Sequence, residues 1–113
     1  MSETKKLSEL ILEGAKLRPQ GFGAYFALND KGERCSCALG AAYEAKLGEA
    51  NGGFLSMSCW GMLELLLGRD SDIFVIDPVT GDESWLSNTI AKLNDKDKWT
   101  REAIAQWLKE IGY

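Results

Sequence analysis

Residues 85–111 have the sequence WLSNTIAKLNDKDKWTREAIAQWLKEI, which predicts two consecutive amphipathic helices. Apolar residues recur at helical spacing in both halves, at Leu86, Ile90, Leu93, Ile104, Trp107, Leu108 and Ile111. Asn94 is expected to close the first helix in a left-handed cap, and Thr100 to cap the start of the second. Trp99 and Ile104 stand at the positions of a hydrophobic staple. This C-terminal helical hairpin indicates a mostly helical fold.

Three further helices are predicted upstream of the hairpin. They cover residues 4–18, ended by Pro19; residues 37–47, capped by Ser36 and stopped by Gly48; and residues 59–67, stopped by Gly68. Small side chains cover most of the second, and Gly40 in its interior predicts a close crossing with a neighbouring backbone. The third is apolar almost all round and is therefore expected to lie deeply buried.

A small sheet is expected to complete the fold. Residues 24–28 and 33–35 flank Asn29-Asp30-Lys31-Gly32, whose composition is typical of a hairpin turn. Residues 73–76 form a short apolar run that predicts a third strand, and turn residues follow at 77–82. Residues 51–53 are predicted to form a loop. We therefore expect an α+β, mostly helical single domain over residues 1–113, with about five helices and a two- to three-stranded sheet.

Length and composition agree with that expectation. The chain has 113 residues, of which 45% are hydrophobic and 27% charged, and this suits one domain with its own core. No run approaches 18 apolar residues, so no membrane association is expected. The first residues lack the apolar stretch of a secretory signal, which predicts a cytoplasmic protein.

The charge of the chain disfavours a nucleic-acid partner. The formal net charge is −4, and residues 70–83 carry five acids and no base. Nucleic-acid binding draws on clustered lysines and arginines, and the sequence has no dense basic cluster. The last helix is similar to a DNA-reading helix, and its outer face would carry Arg101, Glu102, Ala105, Gln106, Lys109 and Glu110. That face is nearly neutral, so it would bind DNA weakly.

Three cysteines, Cys35, Cys37 and Cys59, are the candidates for chemistry. A helix N-terminus lowers a thiol pKa, so Cys37 could be reactive, and the three thiols together could hold zinc. Structural zinc sites, however, usually space cysteines two to four residues apart and add a fourth cysteine or histidine. The chain has no histidine, which also excludes Ser–His and Cys–His catalysis. The favoured interpretation is that the cysteines are small buried apolar residues, and no catalytic residue or cofactor is predicted.

The four tryptophans could fill the core or line a partner surface. Trp107 is expected in the core, and Trp99 in the staple. Trp60 and Trp85 are left open between core and interface. They are the candidate interaction residues.

Two blocks of the sequence resemble an uncharacterised family of small bacterial proteins. The first is CALGAA at residues 37–42. The second joins LND at residues 93–95 to WTREAIAQW at residues 99–107, and residues 14–21 are similar to the opening of the family. The family has no known activity, so the resemblance implies a shared fold and adds no reaction.

The sequence therefore favours a non-enzymatic interaction module, whose partner is another protein or a second copy of the chain. Two alternatives stay open. One is a thiol-dependent or metal-binding protein that uses Cys35, Cys37 and Cys59. The other is a helix-turn-helix nucleic-acid binder.

Overall fold

The protein consists of five helices and four short strands over residues 5–48, 58–68 and 72–113, which are the residues that the computed structural model describes. The helices are α1 (Leu7–Ala15), α2 (Ala38–Leu47), α3 (Cys59–Leu67), α4 (Leu86–Asp95) and α5 (Arg101–Glu110). The strands are β1 (Phe26–Leu28), β2 (Arg34–Ser36), β3 (Phe74–Ile76) and β4 (Glu83–Trp85). The fold is α+β and mostly helical, as predicted. The loop predicted at residues 51–53 lies outside the described residues.

The strands form two separate antiparallel hairpins. β1 pairs with β2, so that Phe26 lies opposite Ser36, and β3 pairs with β4, so that Phe74 lies opposite Trp85. The prediction of a single sheet from residues 24–28, 33–35 and 73–76 is therefore wrong. Residues 83–85 supply the missing partner of β3, because a turn closed by the Asp77 N–H donating to the Asp82 carbonyl (2.8 Å) brings them alongside it. A partner so near in sequence costs little loop-closure entropy.

The turn of the first hairpin forms as the sequence predicts. The side-chain oxygen of Asn29 accepts hydrogen bonds from the backbone N–H groups of Lys31 and Glu33, both at 2.9 Å. Gly32 has a φ of 78°, which is the left-handed conformation that glycine adopts without strain. The side chain of Asn29 thus replaces part of the backbone hydrogen bonding that the turn interrupts.

Three predicted helix ends are wrong. α1 ends at Ala15 rather than at Arg18, and the carbonyls of Ala15 and Arg18 instead accept hydrogen bonds from Arg101. The N-cap of α2 is Cys37, whose sulfur accepts from the Gly40 N–H at 3.4 Å. Ser36 is not the cap because α2 begins at Ala38, one residue later than the sequence predicts, and the Ser36 hydroxyl accepts a hydrogen bond from Arg101 instead. Asn94 lies within α4, which ends in a right-handed cap at Lys96.

The helices pack around one hydrophobic core, and α2 crosses its neighbours closely. A Cβ atom on Gly40 would lie 2.2 Å from the Tyr25 carbonyl oxygen, and one on Gly14 would lie 1.8 Å from the Ala41 carbonyl oxygen. Only glycine allows such an approach, so the crossing predicted at Gly40 is confirmed. Trp107 is buried in the core as expected. Ile111, by contrast, is 39% exposed, because α5 ends at Glu110 and does not extend to residue 111.

Four polar side chains, Gln20, Ser36, Asn94 and Arg101, form what we call the polar junction at the start of α2. Asn94 is buried, and its side-chain oxygen accepts from the Ala38 N–H at 3.2 Å and from the Gln20 amide at 2.9 Å. Its amide nitrogen donates to the Gly21 carbonyl at 3.0 Å. Asn94 therefore joins the C-terminal end of α4 to α2 and to the loop after α1.

Arg101 completes the polar junction from the first residue of α5. Its Nη1 atom donates to the Ser36 hydroxyl at 2.9 Å, and its Nη2 atom donates to the Arg18 carbonyl at 2.7 Å. The side chain is 5% exposed and has no ion pair within the described part of the chain. Burial lowers the pKa of Arg101, but the guanidinium stays charged at neutral pH. Backbone carbonyls therefore take the place of a carboxylate around this buried cation.

We expect Arg101→Lys to lower the free energy of unfolding by about 2 kcal/mol, measured by urea denaturation. Lysine presents one compact ammonium group, which cannot reach Ser36 and the Arg18 carbonyl as the guanidinium fork does. The matched control is Gln106→Lys, which adds lysine at an exposed position of the same helix and should change stability by less than about 0.5 kcal/mol. Equal effects of the two substitutions would contradict the proposed role of Arg101.

Candidate interaction surface

Helix α3 buries only one of its faces. Met62, Leu63 and Leu66 are buried, whereas Trp60 is 46% exposed and Leu65 is 39% exposed. The prediction of a deeply buried helix is therefore wrong. The apolar composition of a helix does not indicate how many of its sides pack against other elements. In α3, Trp60 lies on the side that faces away from the core.

The rings of Trp60, Phe74 and Trp85 stack against one another, and we call them the aromatic face. The centroids of Trp60 and Trp85 lie 5.0 Å apart with an interplanar angle of 27°. Those of Phe74 and Trp85 lie 4.1 Å apart with an angle of 31°. Phe74 is 53% exposed and Trp85 is half-buried. Both sequence-predicted interaction residues thus lie together, joined by a phenylalanine that the sequence analysis missed.

The pairing of β3 with β4 places Phe74 and Trp85 on the same side of their hairpin. They are opposite residues in the register, and Ile76, which is 58% exposed, shares their side because side chains alternate along a strand. Val75 and Ser84 point to the other side and are half-buried. A continuous apolar run such as residues 73–76 does not indicate which residues face outward, so only this register could identify Phe74.

Trp85 is also fixed through its backbone. It is the N-cap residue of α4, and its carbonyl accepts a hydrogen bond from the Thr89 hydroxyl at 2.8 Å. One residue later, the Leu86 N–H donates to the Ile73 carbonyl at 2.8 Å. The middle ring of the aromatic face therefore sits at a rigid strand-to-helix junction.

The turn between β3 and β4 is held to α4 by charge. The carboxylate of Asp77 accepts from the Val79 N–H at 2.8 Å and pairs with Lys92 at 3.1 Å, and Lys92 also pairs with Asp97 at 2.6 Å. Burial alone would raise the pKa of Asp77, but the hydrogen bonds from Val79 and Lys92 outweigh it and lower the pKa below its usual value. Asp77 thus fixes the far end of the hairpin.

The three cysteines do not form a metal centre in the described part of the chain, where no group of three or more His, Cys, Asp or Glu side chains could hold an ion. Cys35 is buried in β2, and its thiol donates to the Glu33 carbonyl at 3.5 Å. Cys37 is buried at the N-cap of α2, and Cys59 is half-buried at the first residue of α3. The geometry gives no support to the zinc alternative.

The expected lowering of the Cys37 pKa is wrong. Burial raises the pKa of the Cys37 thiol to about 11, although the N–H groups of Gly40 and Leu39 act in the opposite direction. Burial, together with the neighbouring Cys59 thiol, also raises the pKa of Tyr25. The desolvation of the α2 N-terminus therefore outweighs the helix dipole, and Cys37 is a protonated thiol at neutral pH.

The outer face of α5 lacks the arginine that the nucleic-acid alternative assigned to it. Arg101 is buried in the polar junction, so placing it on an outer face is wrong. The exposed charges that remain on this helix are Glu102, Lys109 and Glu110. They leave a net negative surface, which repels a phosphate backbone.

A groove of about 560 Å³ runs between α1 and α5. Its walls combine Lys6 and Lys109 with Glu9 and Glu102, and Leu12 lies among them. Opposite charges in equal number give the groove no preference for an anion or a cation. No helix of the described residues is long and apolar enough to cross a membrane.

We expect Asp77→Asn to lower the free energy of unfolding at pH 7 by about 1 to 2 kcal/mol. Because the folded pKa of Asp77 is depressed, its contribution is present above its usual value of 3.8 and is lost as the pH falls through the lower, folded value. In urea denaturation measured over a series of pH values, the difference in free energy of unfolding between Asp77→Asn and wild type should therefore become smaller below about pH 3.8. Asp82→Asn, at an exposed position of the same hairpin, is the control and should have little effect at either pH. A difference in free energy of unfolding between Asp77→Asn and wild type that grows at acid pH would contradict the lowered pKa of Asp77.

We expect Cys37 to resist alkylation in the native protein. With a pKa of about 11, only about one thiol in a thousand is ionised at pH 8, and the thiolate is the reactive form. Iodoacetamide labelling followed by peptide mass spectrometry should modify Cys59 well before Cys37. In concentrated urea, where burial is lost, the two should react alike. Labelling of Cys37 as fast as Cys59 in the native state would refute the raised pKa.

Comparison with known proteins identifies no relative of this chain: no family model matches it, and no curated protein and no solved structure shows significant similarity. The aromatic face is therefore interpreted from its own geometry.

Proposed function

We propose that this protein is a non-enzymatic interaction module that binds a protein partner through the aromatic face. The observation that carries the proposal is the stack of Trp60, Phe74 and Trp85, in which Trp60 is 46% and Phe74 is 53% exposed. Aromatic residues are enriched at protein interfaces, and tryptophan is among the residues that most often dominate the binding energy there. A surface cluster of three such rings is the kind of anchor that a partner uses.

The aromatic face is arranged before a partner binds. Trp60 is carried by α3, Phe74 by β3 and Trp85 by the end of β4, so three elements contribute one ring each. Stacking restrains the rings, and a side chain that is already ordered loses little entropy on binding. Covering the exposed parts of Trp60 and Phe74 would contribute on the order of 2 kcal/mol to a complex.

Neither alternative function gains comparable support. A thiol-dependent activity needs a thiolate, and the pKa of Cys37 is raised to about 11. A nucleic-acid binder needs exposed bases, and the Arg101 side chain is enclosed by the polar junction. The aromatic face, by contrast, is accessible and preformed.

We expect a photoreactive residue within the aromatic face to crosslink the partner in living cells. Phe74→p-benzoylphenylalanine keeps an aromatic ring at the position and should give a discrete covalent adduct after irradiation. The partner, once identified by mass spectrometry and purified, should bind Trp60→Ala at least about tenfold more weakly than wild type, measured by calorimetry.

The matched control is Leu28, which is 67% exposed on β1 and lies outside the aromatic face. The same crosslinker at position 28 should give no adduct, and Leu28→Ala should bind the purified partner like wild type. Thermal unfolding checks that each variant is folded. The proposal fails if position 74 gives no adduct, or if the adducts from positions 74 and 28 are the same.

A further inference from the structure

We infer that the outer edge of strand β3 pairs with the same edge of a second copy of the chain, so that two β3–β4 hairpins join into one four-stranded sheet. This inference rests on the proposed function, because Phe74 belongs to the aromatic face, and it names the partner. It is carried by the direction of the unpaired backbone groups of β3 and by the side chains beside them.

The outer edge of β3 offers unpaired backbone groups. On the inner edge, the Leu86 N–H donates to the Ile73 carbonyl at 2.8 Å. Backbone groups alternate in direction along an antiparallel strand, so those of Val75 also point toward β4. The N–H and C=O groups of Phe74 and Ile76 therefore point away from β4. None of these outward groups has a hydrogen bond in the described part of the chain.

The other strand edges are less suited to pairing. The outer edge of β2 is occupied, because the Ser36 carbonyl accepts from the Gly21 N–H at 2.8 Å. β4 passes into α4 directly after Trp85, whose carbonyl accepts from the Thr89 hydroxyl. On β1 the side chain of Phe26 is buried. Both side chains that flank the outer edge of β3, by contrast, are more than half exposed.

The sequence of β3 does nothing to prevent edge-to-edge pairing. Soluble proteins protect open strand edges with a charged side chain, a proline or a bulge. Residues 73–76 read Ile-Phe-Val-Ile and contain neither a charge nor a proline, and their register with β4 is continuous. Pro78, just beyond the strand, has no N–H and limits the pairing to this short stretch. Strand β3 is therefore an unprotected apolar edge that an identical edge can extend.

Two copies fit together in an antiparallel register centred on Val75. Across a twofold axis at that residue, Phe74 lies opposite Ile76 of the second copy, and each such pair exchanges two backbone hydrogen bonds. Every outward group of both strands is then satisfied. Because opposite side chains lie on the same side of a sheet, Phe74 and Ile76 of the two copies form one continuous apolar row. The edge is thus complementary to itself.

The charges near the edge permit this pairing. In this register Asp77 falls opposite Ile73 of the second copy and Asp72 falls opposite Pro78, so none of the acids whose position is described faces another across the pair. Glu83 lies on β4, three strand spacings, or about 14 Å, from Glu83 of the second copy. That separation exceeds the Debye length of about 8 Å at physiological ionic strength, so the repulsion is largely screened.

The first test is sedimentation equilibrium of the purified protein at concentrations up to about 1 mM. We expect wild type to form a reversible dimer. Ile76→Pro removes an outward N–H but no hydrogen bond of the hairpin, and should weaken the dimer at least about tenfold, because both copies lose a hydrogen bond. Ile76→Val keeps the N–H and should dimerise within about threefold of wild type.

The matched control is Leu28→Pro, which removes the corresponding outward N–H from the open edge of β1. The N–H of Leu28 points away from β2, because the next residue, Asn29, donates to the Glu33 carbonyl. This variant should dimerise like wild type. Thermal unfolding checks that each variant is folded.

A second readout does not depend on the proline variants. Irradiation of the purified Phe74→p-benzoylphenylalanine variant should give a covalent adduct of twice the chain mass. Because Phe74 lies opposite Ile76 across the twofold axis, peptide mass spectrometry should map the crosslink to the segment around Ile76 of the second copy.

The inference is overturned if wild type stays monomeric over this concentration range, if Ile76→Pro dimerises as tightly as wild type, or if the crosslink maps outside residues 73–77. The two proposals can fail separately. A different protein that crosslinks through position 74 in cells, while the purified chain stays monomeric, would preserve the proposed function and refute the second copy. The absence of any adduct in both settings would refute both.

Discussion

The buried guanidinium group of Arg101 is the interaction on which the fold depends. A charged group away from water is costly unless hydrogen bonds replace its hydration. Here Ser36 and the carbonyls of Ala15 and Arg18 replace it at the two Nη atoms, whereas Nε has no hydrogen-bond partner among the described residues. The segment after α1 and the entry to α2 must therefore stay in place around the first residue of α5. Asn94 adds neutral hydrogen bonds to the same region and ties in the end of α4.

Helix α4 connects this polar junction to the aromatic face. Its C-terminal part carries Asn94, while Trp85 caps its N-terminus, and its ten residues span about 15 Å. Lys92, on the same helix, holds the β3–β4 turn through Asp77. The hairpin is thus fixed at its open end through Leu86 and at its turn through Lys92, which explains how so short a two-stranded sheet keeps Phe74 and Trp85 in register. An isolated two-stranded hairpin is only marginally stable in water, so these contacts with α4 are essential to the geometry of the face.

The sequence blocks at residues 37–42 and at residues 93–95 joined to 99–107 meet at the polar junction. Ala38 belongs to the first block, and Asn94 and Arg101 belong to the second, although 56 positions separate Ala38 from Asn94. Residues 14–21 supply Gly14 at the crossing with α2 and Gln20 in the junction. The blocks therefore contain the polar groups and close contacts that shape this fold. None of them contributes a ring to the aromatic face.

By itself the sequence determined the five helices, the first hairpin, the Thr100 cap and the glycine crossing at Gly40, because these follow from local periodicity, turn chemistry and side-chain size. It could not show that α3 leaves Trp60 exposed, since a helix that is apolar on every side has no polar face to indicate which side is exposed. It also could not place Phe74 on Trp85, because that contact depends on the pairing of β3 with β4, in which Glu83 and Ser84 are not strand-forming residues. Likewise, the helix-terminal position of Cys37 suggested a lowered pKa, but burial reversed the direction. Exposure, register and desolvation are properties of the assembled chain, so only the tertiary structure decided where the candidate interaction surface lies.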